Sequence, residues 1–133
     1  MKPMRKMRHS PSSPAATERS RLFLLHPAPG LRNTLDPDEI FFLEATDDDT
    51  SVRTRRAQSL KDVRTLGELE SILRLWGFVR THRNYLVNPN HVRQIRLRPD
   101  SRDWEVKLDP PVNRVLPVSR GALAALWAAF GEE

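Results

Sequence analysis

Apolar and polar positions change over in short blocks along most of this chain, and turn residues separate the blocks. Ile40-Phe41-Phe42-Leu43 is a continuous apolar run between Asp36-Pro37-Asp38 and Asp47-Asp48-Asp49, the pattern of a buried strand. Ser51 to Arg55 and Gln58 to Val63 alternate on either side of Arg56-Ala57 and predict a hairpin. A helical pattern starts after Thr65: Leu66, Leu69, Ile72, Leu73 and Trp76 fall on one face, Glu68 stands at capping-box spacing, and Gly77 ends the run. Phe78 to Thr81 and Tyr85 to Val87 predict extended segments, followed by an Asn88-Pro89-Asn90 turn. Val92, Ile95 and Leu97 continue as a strand. Pro99-Asp100-Ser101 then turns the chain into Trp104 to Leu108, which alternates as a half-exposed strand. Asp109-Pro110-Pro111 precedes a last strand at Val115 to Val118. Ser119 is expected to cap a terminal helix with Leu123, Leu126, Trp127 and Phe130 inward and Gly131 closing it. The fold class is mainly β: small antiparallel sheets with two short helices.

Length and composition narrow this further. With 133 residues there is room for one domain and a tail. The absence of cysteine removes disulfide scaffolds, thiolate metal sites and cysteine nucleophiles together. No apolar run approaches the roughly 20 residues of a membrane span. Lys2, Arg5, Lys6 and Arg8 are followed by Ser, Pro and Ala, not by the apolar core of a secretory signal. A soluble protein of the cytoplasm, with no membrane partner, is the expectation.

Formal charge is +5, from 22 Lys plus Arg against 17 Asp plus Glu, which favours anionic partners. Its placement changes that reading. Residues 1–30 carry Lys2, Arg5, Lys6, Arg8, Arg19 and Arg21 against Glu18, and so hold the whole excess; residues 31–133 are formally neutral. The first segment, rich in Pro and Ser, is expected to be a mostly disordered tail, in which Leu22 to Leu25 could dock as a short strand. It fits a solubilising linker or an auxiliary nucleic-acid-binding arm. Residues 31–133 are the expected domain.

Inside that neutral domain the charge is uneven. Ser71 to Pro99 contains no acid, while Arg74, Arg80, Arg83, Arg93, Arg96 and Arg98 accumulate there. Such a strip can meet phosphates or guanine edges, or it can be a solvated face paired with carboxylates from elsewhere. His82 and His91 are nine positions apart, which matches no common metal-ligand spacing, and His82 is better read as bonding backbone beside Arg83. Tyr85, Leu86 and Val87 read as core, Asn88 as a strand-end residue bonding backbone, and Trp76, Trp104 and Trp127 as sheet-covering residues. No nucleophile–base pair, glycine-rich phosphate loop or metal-ligand set can be assembled, so no enzyme, cofactor or metal is expected.

The order of these residues carries more. Ile40-Phe41-Phe42-Leu43-Glu44-Ala45, a capped amphipathic helix, Phe78-Val79-Arg80-Thr81-His82-Arg83-Asn84-Tyr85-Leu86-Val87-Asn88, and Leu116-Pro117-Val118-Ser119-Arg120 together resemble the LytTR family of bacterial DNA-binding domains over residues 35–130. The middle block is similar to that family's F-x-R-x-H-R-S-Y-x-V-N signature, with Asn84 where Ser is commoner. The resemblance implies an elongated fold of three small sheets that places loops in successive major grooves of double-stranded DNA, often bends it, and acts in pairs on direct repeats. The implied role is a sequence-specific transcriptional regulator at the nucleoid, as a homodimer on DNA.

Carried over by position, the implied contacts are Thr50 and Ser51 beside Asp49 in a first loop, His82, Arg83 and Asn84 in a second, and Arg120 at the start of the last helix. Arg80, Arg93 and Arg96 are the expected auxiliary phosphate contacts. Arg120 also has a physical warrant: a cation in the first helical turn opposes the helix dipole unless an anion compensates it. Asp47-Asp48-Asp49 sits awkwardly beside a phosphate backbone. It points to solvent, accepts from cytosine amino groups or trims non-specific affinity, or marks a copy that serves a protein partner; divalent metal binding with Glu44 lacks the glycine and spaced acids of a calcium loop. No receiver segment is expected ahead of the domain, so the input signal is left open, with the tail and a separate regulatory protein as the candidates. The rivals are a protein-interaction module of the same fold and a single-stranded nucleic-acid binder using the arginine strip.

Overall fold

A computed structural model describes residues 21–132. The strands are β1 (Phe23–Ala28), β2 (Leu31–Leu35), β3 (Ile40–Ala45), β4 (Thr50–Thr54), β5 (Leu60–Asp62), β6 (Val79–His82), β7 (Tyr85–Val87), β8 (Val92–Leu97), β9 (Trp104–Leu108) and β10 (Val115–Val118). The α-helices are α1 (Leu66–Leu73) and α2 (Leu123–Ala129). They form a two-stranded sheet β1-β2, a central five-stranded sheet ordered β5-β4-β3-β7-β6, and a three-stranded sheet ordered β10-β9-β8, with antiparallel pairing throughout.

The unbroken apolar run of β3 is explained by its place in the middle of the central sheet, with both faces covered. On one face, Ile40, Leu43, Val52 and Leu86 pack with Leu66, Leu69 and Leu73 of α1 and with Phe23 and Leu25 of β1. On the other, Phe41, Phe42 and Val87 pack with Val106, Leu108, Leu116 and Val118 of the three-stranded sheet and with Leu126 of α2. Phe41 and Phe42 reach the same core because the register shifts between Ile40 and Phe42, so two neighbouring side chains share one side. Each fully buried Leu or Phe in these layers contributes about 1.5–3 kcal/mol.

Helix α1 starts as its sequence requires. The Thr65 hydroxyl accepts from the Glu68 amide, and the Glu68 carboxylate accepts from the Thr65 amide at 2.8 Å. A 3-10 turn, Arg74–Trp76, extends it to Gly77, whose φ of 87° reverses the chain in the left-handed region.

Three expectations change. The border expected at residue 30 falls in the β1-β2 turn: Phe23 and Leu25 of β1 are 1% and 3% exposed, so the fold begins earlier in the chain. Residues 1–20, most of the expected tail, lie outside the described residues. The terminal helix is shorter than expected. Ser119 precedes a 3-10 turn, Arg120–Ala122, without a side-chain capping bond, and α2 follows from Leu123. Phe130, expected inward, is 47% exposed because α2 ends at Ala129 and Phe130 has left the helical face.

Candidate nucleic-acid interface

Two backbone hydrogen bonds bring three distant segments together. The Ala45 amide donates to the Asn84 carbonyl at 2.9 Å, which joins the β3-β4 loop to the β6-β7 turn. The Ser119 amide donates to the Thr81 carbonyl at 2.8 Å, which joins β6 to the segment entering α2. All three expected contact segments therefore lie along one edge of the molecule. His82 and Ser119 line both surface clefts there, one of which also holds Arg83 and the other Arg120.

In the first loop, the Thr46 amide donates to the Asp49 carbonyl, and the Thr46 hydroxyl lies 2.7 Å from the Asp49 carboxylate. Lys61 stands 3.5 Å from the same carboxylate. Asp49 is thus spent on closing the loop, whereas Asp47 and Asp48 are exposed at its tip. Thr50 does not face outward as expected. It is 0% exposed, and its hydroxyl donates to the Arg64 carbonyl at 2.8 Å, because strand alternation turns Thr50, Val52 and Thr54 inward. Ser51, on the opposite face, shares a hydrogen bond with Ser59 at 2.6 Å.

The second segment is a tight turn whose side chains divide the work. His82 Nδ1 accepts from the Asn84 amide at 3.1 Å, a bond that closes the turn. Arg83 and Asn84 are exposed. Behind them Tyr85 is half-buried beside Glu44; burial first, and the Glu44 charge next, push the phenol above its ordinary pKa. In the third segment, Arg120 is exposed at the start of the 3-10 turn, one turn earlier than the α-helix it was expected to begin.

The arginine strip resolves into two classes. Arg74 and Arg80 pair with Glu70 at 3.7 and 2.8 Å, Arg93 with Asp109 at 3.6 Å, Arg96 with Glu105, and Arg98 with Asp100 at 2.8 Å. Arg80, Arg93 and Arg96, the expected auxiliary phosphate contacts, are each engaged by a carboxylate brought from another element. Of the strip, Arg83 is the one arginine with no carboxylate partner among the described residues, and Arg120 outside the strip shares that condition.

Two arrangements brace this region, and the first has no local sequence signal. Asp62, 0% exposed, accepts from Arg64 Nε at 2.9 Å, Arg64 Nη2 at 2.8 Å, the Arg64 amide and the His26 amide, while Arg64 Nη2 also reaches the Leu24 carbonyl. This clamp fastens β1 to the edge of the central sheet beneath the first loop. Burial would raise the Asp62 pKa, but the hydrogen bonds and charge of Arg64 and the two amides outweigh it and hold the carboxyl below its ordinary range. Asn88, 1% exposed, donates to the Ile40 carbonyl at 2.9 Å and accepts from the Asn90 amide at 3.0 Å, locking the far end of β7 to β3. Among the described residues no group of three or more metal-ligating side chains gathers, and no helix is long and apolar enough to cross a membrane.

The model of the LytTr DNA-binding domain family matches residues 32–131. The solved LytTr DNA-binding domain of a Bacillus cereus protein, described as a methyl-accepting/DNA response regulator, has the same fold: the TM-score is 0.65 at 23% identity, over 84% of this chain and 97% of that one. No curated protein matches. The family model spans nearly the whole described fold, from β2 to the end of α2, and the chain belongs to the LytTr DNA-binding domain family.

Proposed function

We propose that this domain binds double-stranded DNA sequence-specifically and is the output module of a transcriptional regulator, without enzymatic activity. The observation that carries this reading is the shared edge: three segments far apart in sequence meet there, and they present Arg83 and Arg120, the two cations of the candidate site that no carboxylate engages among the described residues. A guanidinium held on a rigid turn can read guanine O6 and N7 or clamp a phosphate with two parallel hydrogen bonds. The β6-β7 turn and the segment entering α2 are the reading elements, with Ser51 and the first loop beside them. Binding in pairs on direct repeats, as a homodimer on DNA, follows from the family resemblance.

The exposed Asp47 and Asp48 repel phosphate at the loop tip and lower affinity for DNA in general. That favours selectivity over tight non-specific binding. The test is an in vitro selection of bound duplexes at two salt concentrations, followed by isotherms on the selected site. Arg83→Ala and Arg120→Ala should each weaken specific binding by about 1–3 kcal/mol and leave folding intact. Enrichment of no sequence and salt-insensitive binding would instead identify a protein-interaction module; stronger binding to single strands would identify the single-strand reading.

A further inference from the structure

Four consecutive carbonyls of the β6-β7 turn are all engaged from within the molecule. The Thr81 carbonyl accepts from the Ser119 amide at 2.8 Å, and the Asn84 carbonyl from the Ala45 amide at 2.9 Å. Between them the His82 carbonyl accepts from Arg80 Nε at 2.9 Å, and the Arg83 carbonyl from Arg80 Nη2 at 2.5 Å. The remaining arm of that guanidinium, Nη1, donates to the Glu70 carboxylate of α1 at 2.8 Å. One planar fork thus ties the two central carbonyls of the turn to a helix on a separate element. With its carbonyl dipoles drawn inward, the turn offers an incoming anion the Arg83 side chain and no ring of free acceptors.

We infer that Arg80, anchored by Glu70, is a positioning residue that holds the Arg83 turn in its anion-receptive form, and that it contributes no phosphate contact of its own. The inference rests on the DNA-binding reading for its consequence, though not for its geometry. Lysine at position 80 would keep the charge but lose the fork, because a single ammonium cannot meet two carbonyls and a carboxylate in one plane. Glu70 makes the clearer case, since simple Coulomb repulsion of phosphate and positioning predict opposite signs for its removal. Removing a carboxylate beside the DNA-facing edge should tighten binding to every sequence if charge were its whole role. If Glu70 positions the turn through Arg80, its loss should weaken binding to the selected site.

The experiment measures Glu70→Gln and Arg80→Lys against the unaltered chain on the selected duplex and on random duplex, across a salt series, with thermal unfolding as the check of folding. The expected result is a tenfold to hundredfold loss on the selected site, the scale set by about 1 Å of misplacement at a recognition group. For Arg80→Lys, which conserves the charge, affinity for random duplex and the salt slope should stay within error. Unchanged or tighter specific binding by Glu70→Gln, or an Arg80→Ala variant whose salt slope falls by about one phosphate contact, would overturn the inference. Amide exchange of Asn84 in the free protein gives a readout that needs no DNA. Its bond to His82 Nδ1 depends on the turn keeping its shape, so Glu70→Gln should accelerate exchange several-fold. Failure of the unaltered chain to bind any duplex would sink the DNA reading, and the exchange rate would still decide whether Glu70 and Arg80 position the turn.

Discussion

Replacing Asp62 by alanine removes one carboxylate and strands four donors: two guanidinium nitrogens and the amide of Arg64, and the amide of His26. Asp62 itself is wholly buried, whereas the Arg64 side chain is 17% exposed and also keeps its bond to the Leu24 carbonyl. Breaking a buried ion pair from one side costs about 3–5 kcal/mol, and each buried donor without an acceptor costs about 1–3 kcal/mol. The partial exposure of Arg64 lets water recover part of this, so the expected loss for Asp62→Ala is about 3 kcal/mol, a large share of a small domain's stability. Asp62→Asn keeps an acceptor for half of these donors and should cost about half as much.

Urea unfolding followed by tryptophan fluorescence measures both. The pH dependence supplies a second check. The folded carboxyl lies below its ordinary pKa of 3.8, so its contribution is fully present above that value and is lost as pH falls through the folded value. The gap between the unaltered chain and Asp62→Ala should therefore be widest near neutrality and shrink below about pH 4. A neutral-pH gap under about 1 kcal/mol, or one that does not change on acidification, would refute the account of the clamp.

Two further outcomes follow from the geometry. Asn88→Ala leaves the buried Ile40 carbonyl and the Asn90 amide without their partner and should destabilise the domain by about 2–3 kcal/mol in the same urea assay, with the Arg83 turn unaffected. Neutralising Asp47 and Asp48 together, as Asp47→Asn and Asp48→Asn, should leave unfolding unchanged and tighten binding to random duplex several-fold at low salt; unchanged affinity would place the loop tip away from the phosphates.

Local pattern was sufficient wherever the determinant is short-range. Thr65, Glu68 and Gly77 mark the limits of the helical segment because a cap and a left-handed stop are made within a few residues. Ile40 to Leu43 reads as a buried strand because both of its faces are covered. The block from Phe78 to Asn88 and the one from Pro117 to Arg120 carry the family resemblance, since they hold the turn residues and the arginines in fixed order. His82 and Asn88 were legible as backbone-bonding residues, because a polar side chain flanking a tight turn has few other partners nearby.

What the chain order left open is which side chains remain available. Arg80 and Arg83 stand three residues apart in the same acid-free strip, and only the placement of α1 against β6 gives Glu70 to Arg80 and leaves Arg83 open. Asp109 reaches Arg93, and Glu105 reaches Arg96, through the pairing of β8 with β9. Thr50 turns inward through strand register and the Arg64 carbonyl beneath it. The sequence by itself determined the elements and the family, because hydrophobic period, caps and turns are local. Tertiary structure decided which cations face a partner, because neutralisation depends on carboxylates that arrive from other strands and helices.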